Sequence, residues 1–461
     1  MKNRKRIYVT CMIAIIIFLL RSFPKIDIST WSLLLMNDDE ANFLRTWARV
    51  QRTQLDLREI TGTCEKCVEN KCPIINPYQR TDVMTSYVTN EVIQRSGDFS
   101  RVYIRTKNAS GYYRTTGGDG WQVYIKGPSI STATVFDLRN GTYEIVFLPV
   151  VSGQYTLFAY LIYTACVAIN RPPRQQRVLG RLKHSFYIPQ QKGDSLLHKL
   201  QYHMTFRDCY DRAGLFQYHR CYGCCRGCSF VWNGLGSWEY VRGSLKWRPY
   251  IKIDDRPKKV KFKKRAVRKN GTLWFLGDPQ STIYDAVYQG PLCSKIFSSC
   301  KNGSTILSSE HLKSLSSDRI ADQVVKRLKT LLNHSMQQPE NALILNPGFI
   351  RNLPYVSYAN IINRILPLIH EAMNTTRHAQ FIWSTLLPST VEYSSLGYRI
   401  YNAYANMKLC KEKVPILDLF FLLDSHSLTG IKTQTNVTLE SVERLLVDYF
   451  ELTSDRLMFK N

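Results

Sequence analysis

The stretch from Leu273 to Val287 reads LWFLGDPQSTIYDAV. Its pattern predicts a buried strand, a tight turn at Gly277-Asp278 and the start of a helix. A turn of this kind can present a hydroxyl to an acyl carbon. Such chemistry needs a nucleophile, a base oriented by a carboxylate, and amides that bind the oxyanion. Here Pro279 follows the Gly-Asp pair, and the first serine is Ser281. Proline offers neither an attacking oxygen nor a backbone N–H for an oxyanion, and it pushes Asp278 toward an extended backbone. Two residues along a helix amount to ~3 Å of rise and ~200° of rotation, whereas ~1 Å of misplacement can already lose ~100-fold in rate. Ser281 therefore reads more simply as an N-cap or first-turn residue of TIYDAVY. The pair that could serve it is Asp424 with His426, in the tripeptide DSH. His426 reads more simply as a loop histidine. His370 and His378, which follow a helical pattern and precede a strand, read as surface residues.

The elements that would position this turn are apolar runs. LWFLG (273–277), ALILN (342–346), FIWST (381–385) and PILDLFFLL (415–423) are near-continuous, as in a parallel sheet covered on both faces. Between and after them Ile320, Val324, Leu328 and Leu331 share one helical face, as do Leu439, Val442, Leu446 and Tyr449. Alternation of strands and helices predicts a doubly wound sheet with its chemistry at the strand carboxyl ends.

The preceding region has a different period. From Asp137 to Leu161 the chain reads DLRNGTYEIVFLPVVSGQYTLFAYL. Asn140-Gly141 signals a hairpin turn, Tyr143, Ile145 and Phe147 alternate with their neighbours, Pro149 ends that strand, and Tyr155 and Leu157 resume after Gly153. Gly117 to Ser129 adds another turn and strand. Short alternating strands at this spacing predict a β-sandwich. The pattern resembles the filamin-type immunoglobulin-like repeat, through Gly127-Pro128-Ser129, then Asp137, Gly141-Thr142-Tyr143 (with one extra residue before Gly141), Pro149, Gly153 and Tyr155.

A chain of 461 residues with 44% hydrophobic and 21% charged residues has the size of two or three folded domains. Lys2, Arg4, Lys5 and Arg6 precede the uncharged run IYVTCMIAIIIFLL (7–20), with no small-x-small cleavage site after it. A positive N-terminal flank predicts a cytosolic N-terminus and a type II signal-anchor; a cleaved signal peptide is the alternative. Seven Asn-x-Ser/Thr sequons, at Asn108, Asn140, Asn270, Asn302, Asn333, Asn374 and Asn436, fit a lumenal chain. So do the cysteines: of thirteen, Cys11 lies in the anchor and twelve lie outside it. These are Cys64, Cys67, Cys72, Cys166, Cys209, Cys221, Cys224, Cys225, Cys228, Cys293, Cys300 and Cys410. The cluster CYGCCRGC (221–228) has spacing that could hold zinc, but in the lumen disulfides are favoured. A net charge of +26 suggests a polyanionic partner, and lumenal topology excludes nucleic acid. The basic run RPKKVKFKKRAVRKNG (256–271) reads as a solvated connector, or as a patch for acidic glycans or anionic membrane.

With WNGLGSWEYVRGSLKWRPY (232–250) upstream of the Gly-Asp turn, the ordered set resembles the NXPE family, the neurexophilin and PC-esterase domain family. The resemblance covers almost the whole chain. It implies an α+β multidomain protein. Residues 1–24 would be a cytosolic tail and signal-anchor helix, 25–83 a Cys-containing stem, 84–168 an Ig-like β-sandwich, 169–228 a Cys-rich linker, and 229–461 a PC-esterase domain of the SGNH-hydrolase type with a parallel sheet. The family's chemistry is esterase or O-acyl transfer on glycans, with a serine after Gly-Asp and an Asp-x-x-His near the C-terminus. Here Thr433 and Asn436 occupy the best-aligned acid and base positions, and Asn436 is itself a sequon. The expectation is a degenerate site at Gly277, Asp278, Pro279, Thr433 and Asn436, with little or no hydrolysis and no cofactor or metal. The alternative is an active O-acyl esterase or O-acetyltransferase built on Ser281. The partners implied are glycans or cell-surface proteins, at the Golgi or cell surface, or outside the cell if the N-terminal segment is cleaved.

Overall fold

The computed structural model describes residues 38–69, 80–167, 169–199, 216–217, 229–232, 234–250, 268–277, 292–302, 317–335, 338, 340–375, 380–388, 395–426, 442–443, 446–447 and 449–450. The expected anchor lies outside them. Among the described residues no helix is long and apolar enough to cross a membrane. The chain divides into two compact units, Met1–Arg45 and Thr46–Asn461. Of the first, only residues 38–45 are described, and they are helical. The second contains two sheets.

Helix α1 (Asp38–Arg52) opens with Asp38, Asp39 and Glu40 and closes with Arg49 and Arg52, the charge order that a helix dipole favours. Helix α2 (Leu57–Thr61) is capped by Asp56, whose side chain accepts from the Arg58 N–H at 2.9 Å. Helix α3 (Glu65–Val68) follows. The expectation of a stem over this region is corrected here. Trp47 is buried against Phe99 and Tyr250, Arg49 pairs with Glu144, and Gln54 donates to Asp418. Buried Trp47, Ala48, Val50 and Leu55 give these short helices an apolar side that needs a sheet to cover it.

The antiparallel sheet contains β1 (Asp82–Val92), β2 (Ser100–Lys107), β3 (Gly120–Lys126), β4 (Ser129–Asp137), β5 (Thr142–Phe147), β6 (Gly153–Tyr163) and β7 (Gly180–Ile188), in the order β1-β2-β5-β4-β3-β6-β7. Strand β4 is shared: Ile130 to Ala133 pair with β3, and Thr134 to Asp137 pair with β5. A strand that changes partner midway turns a corner, and the sheet folds over its own core. The ends approach each other where His184 of β7 meets Glu91 of β1. Alternate residues fill the core, among them Val102, Ile104, Val123, Ile125, Tyr143, Ile145, Leu157 and Ala159. Strand β7 lies beyond the expected boundary at residue 168, in a stretch expected to hold few elements. Its alternation is plain in retrospect: Leu182, Phe186 and Ile188 face inward, while Arg181, Lys183, Ser185 and Tyr187 face out.

The second sheet has the order β13-β12-β14-β15-β16-β9-β8. Its members are β8 (Phe216–Gln217), β9 (Ser229–Trp232), β12 (Arg268–Leu276), β13 (Phe297–Asn302), β14 (Ala342–Leu345), β15 (Gln380–Ser384) and β16 (Pro415–Leu417). All described pairings are parallel except β8 with β9. Helices α4 (Ser317–Ser335), α5 (Tyr355–Thr375) and α6 (Leu396–Lys411) form the crossovers from β13 to β14, β14 to β15 and β15 to β16. Right-handed crossovers in one direction place them on one face, and Ile320, Val324, Leu328 and Leu331 of α4 are buried there as their spacing requires. The expected strand over 415–423 is corrected: it stops at Leu417, and Phe420–His426 form helix α7. Asp418 breaks the apolar run by accepting from the Phe420 N–H at 3.0 Å, which starts the helix.

The other face of this sheet is covered by a hairpin, β10 (Gly236–Val241) and β11 (Ser244–Pro249). Strand β10 also pairs with β4, so the hairpin belongs to the antiparallel sheet. Trp238, Leu245 and Trp247 join Leu273, Phe275, Ile344, Ile382 and Leu417 in one core, together with Val442, Leu446 and Tyr449 near the C-terminus. The two sheets are therefore parts of one compact unit.

Disulfides join Cys64 to Cys166 and Cys293 to Cys300, and Cys67 and Cys410 are also disulfide-bonded. The first closes a loop across a sequence separation of 102 and ties the N-terminal helices to the end of β6. Loop-closure entropy over that length is worth about 4–5 kcal/mol. Replacing Cys64 and Cys166 together by Ala should lower the melting temperature by at least several degrees. Thermal unfolding of the non-reduced protein checks this, and an unchanged melt would contradict it.

Candidate functional site

The order β13-β12-β14-β15-β16 is the doubly wound order in which the chain moves first to one side of its founding strand and then to the other. In sheets of this order ligands bind at that reversal, which here lies between the carboxyl ends of β12 and β14. The two residues there are Gly277 and Asn346.

Gly277 is buried at the end of β12. A Cβ in its place would lie 2.8 Å from the Asn346 Cβ and 2.9 Å from the Phe275 ring, so only glycine lets the strands end this close together. Asn346 is fully engaged. Its N–H donates to the Leu276 carbonyl at 2.8 Å, its Oδ1 accepts from the Gly348 N–H at 3.0 Å, and its Nδ2 donates to the Thr385 carbonyl at 2.7 Å. The belt continues along the strand ends. Thr385 donates through Oγ1 to Asp418 at 3.1 Å and accepts from the Leu419 N–H at 3.2 Å. Asp418 also accepts from Gln54 Nε2 at 3.0 Å. Spacing alone did not single out Asn346 or Thr385. Their position, one residue past an apolar run, is the signal that could have found them.

Asp418 is buried, and desolvation pushes its carboxyl up to about 6. Hydrogen bonds from Phe420, Thr385 and Gln54 and the nearby Arg399 oppose that rise without cancelling it.

Asp424 sits in α7 at the junction of the two sheets. It accepts from the Tyr124 hydroxyl at 2.8 Å and from Thr132 Oγ1 at 3.2 Å. Burial is the largest influence and raises its carboxyl pKa, while Ser395, Tyr124, Arg399 and Thr132 act the other way. Both oxygens thus face the antiparallel sheet. Positions 424 and 426 are two apart on one helix, ~200° around its axis.

Of the expected site residues, Gly277 lies at the end of β12 and Asp424 in α7. Asp278, Pro279, Ser281, Thr433 and Asn436 lie outside the described residues, and of His426 only the backbone, at the end of α7, is described. His370 pairs with Glu412 at 3.0 Å, as a surface histidine would, and His378 lies outside the described residues. Among the sequons, Asn140, Asn333 and Asn374 are exposed and Asn108 is half-buried in a turn; Asn270 and Asn302 fall within β12 and β13. Among the described residues no group of three His, Cys, Asp or Glu side chains is placed to hold a metal. A polar cavity of about 20 Å³ lies between α2, the antiparallel sheet and α6, lined by Thr61, Asp119, Asp137 and Arg399. It has room for a water molecule and none for a sugar or an acyl chain.

No family model matches the chain. No curated protein matches it. Among solved structures it is similar to a chain in "Crystal structure of the Lin-41 filamin domain", at 20% identity over 17% of this chain and 78% of that chain, with a TM-score of 0.15. A likeness at that score carries no argument.

The Asp418 carboxyl titrates near 6 when folded and near the ordinary carboxylate range when unfolded. Between those values the folded state binds the extra proton, so this group stabilises the fold as pH falls from about 6 toward 4 and loses that contribution as pH rises. Asp418→Asn should flatten this part of the stability profile. Denaturant midpoints at pH 4.5, 5.5 and 7 check it; identical slopes in both proteins would contradict it.

Proposed function

We propose that the chain is a type II membrane glycoprotein of the NXPE family, with an Ig-like sandwich and a PC-esterase-like domain that serves as a binding or structural module. The observation that carries the non-catalytic reading is the residue after Gly277-Asp278, which is Pro279 and not a serine. Asp424, the acid of the alternative Ser281–His426 site, accepts from Tyr124 and Thr132 at the sheet junction. Three sequence features support the same reading. Pro279 stands where the nucleophile belongs and removes an oxyanion donor, and Thr433 and Asn436 stand at the acid and base positions. The sheet order, with Gly277 at the reversal, supports descent from a doubly wound hydrolase. Losing a catalytic triad typically forfeits ~10⁶-fold in rate.

An activity-based acyl-ester probe tests this directly. Wild type and Ser281→Ala should label equally, at background. Labelling of wild type that disappears in Ser281→Ala would establish a displaced-serine esterase instead.

The membrane topology has its own test. With the N-terminus cytosolic and the remainder lumenal, at the Golgi or cell surface, Asn-linked glycans should be present on exposed sequons such as Asn140, Asn333 and Asn374. Peptide N-glycosidase treatment of the membrane fraction should increase gel mobility, and Asn140→Gln should remove one step of the shift. No change on treatment would argue strongly against lumenal topology.

A further inference from the structure

Strands β3, β6 and β7 lie side by side, and their alternate residues face outward. Cross-strand neighbours on the outer face are Tyr124 with Phe158, Lys126 with Thr156, Phe158 with Lys183, and Tyr160 with Arg181. The intervening Leu157, Ala159 and Leu161 fill the sheet's own core. Helices α6 and α7 cover the outer face as far as Tyr124, which is buried against Ser395 and Asp424. Tyr160 meets the Tyr124 ring edge-on at 6.1 Å. Beyond that contact Phe158 and Tyr160 are half-buried, Arg181 and Lys183 are exposed, and Tyr187 stands out at the far end.

The cations lie against the rings. The Arg181 guanidinium is 5.8 Å from the Phe158 centroid and 5.9 Å from that of Tyr160, and the Lys183 ammonium is 5.7 Å from Phe158. Neither Arg181 nor Lys183 has an ion-pair partner among the described residues. Strands β3, β6 and β7 contain no Asp or Glu. Exposed cations on a strand near a sheet edge also deter edge pairing, but that role does not call for aromatic rings beside them. Rings beside unpaired cations offer two kinds of contact at once. A ring face receives the C–H face of a sugar, and cations ~7 Å apart along a strand can each pair with an anionic substituent. The chain's disulfides belong to an oxidising compartment, where the polyanions are acidic polysaccharides rather than nucleic acids.

We propose that this face binds a sulfated polysaccharide, with Phe158 and Tyr160 against the sugar rings and Arg181 and Lys183 on the sulfates. The proposal rests on neither the family resemblance nor the state of the ester site. The full chain is tested against an immobilised heparin octasaccharide in a salt series. Arg181→Gln/Lys183→Gln should weaken binding roughly tenfold and flatten its salt dependence. Lys326→Gln/Lys329→Gln, the same charge change on exposed positions of α4, should stay within about twofold of wild type. N-desulfated and O-desulfated heparin should not bind. Equal losses in the two double variants would overturn the proposal in favour of a general charge effect, and so would an absence of binding. Tighter binding of poly-uridylate, or of phosphatidylserine vesicles, through Arg181 and Lys183 would also overturn it. Should Arg181→Gln/Lys183→Gln fail to fold, hydrogen exchange on wild type decides: the octasaccharide should slow exchange in β6 and β7, and unchanged rates there would refute the site.

Discussion

The constraint on which the structure turns is an uncovered sheet face. A parallel sheet built from near-continuous apolar strands is hydrophobic on both sides. In Thr46–Asn461 three crossover helices cover one side. The other is covered by the β10–β11 hairpin, with Trp238 and Trp247 packed edge to face at 5.4 Å, together with α7 and residues near the C-terminus. Because β10 also extends the antiparallel sheet through β4, the two sheets cannot be separated without exposing a shared core. The Trp238 indole N–H donates to the Leu422 carbonyl at 3.1 Å, which holds α7 against the same hairpin.

The polar groups of the junction follow from that packing. With α7 packed against β4, Asp424 accepts from Tyr124 and Thr132, and Arg399 lies close enough to moderate the buried charges. Desolvation dominates at Asp418, Asp424 and Arg399 alike, and it lowers the arginine as it raises the acids. Buried ionisable groups of this kind are weak contributors to stability when paired and costly when one partner is removed. Through them α7 and the end of β16 are joined to the antiparallel sheet and to Gln54 at defined residues.

Much of this was legible wherever a period persisted. The Asn140-Gly141 turn is legible because Gly141 must take φ +77 and because Asn140 accepts from the Thr142 N–H, both of which are local properties of two residues. The face of α4 and strands β14 and β15 were legible from spacing and composition. What failed to show was set by distant partners. Nothing near Asp418 marks it as the end of a strand; its role depends on Gln54 and Thr385. Strand β7 alternates correctly but carries so many cations that its apolar half was hidden. Helices α1 to α3 are short, and their buried sides make sense only against the sheet they cover. At the candidate site, the burial of Gly277 at a strand end was legible from the apolar run before it, while the hydrogen bonds of Asp424 join it to Tyr124 and Thr132 some 300 positions earlier and leave no local signal.

The bond from Gln54 to Asp418 spans 364 positions of the chain, and that from Tyr124 to Asp424 spans 300. Contacts this remote must wait on synthesis. At about 5–20 residues per second, on the order of 20–70 s separates the emergence of the first partner from that of the second. Throughout that interval the nascent antiparallel sheet exposes the face that α6 and α7 will cover, and the N-terminal helices lack part of their seat. A chain terminated before Leu396 would lack both covering helices, and one terminated before Phe420 would lack α7. The junction between the two sheets is thus among the last parts of the fold that synthesis allows to close.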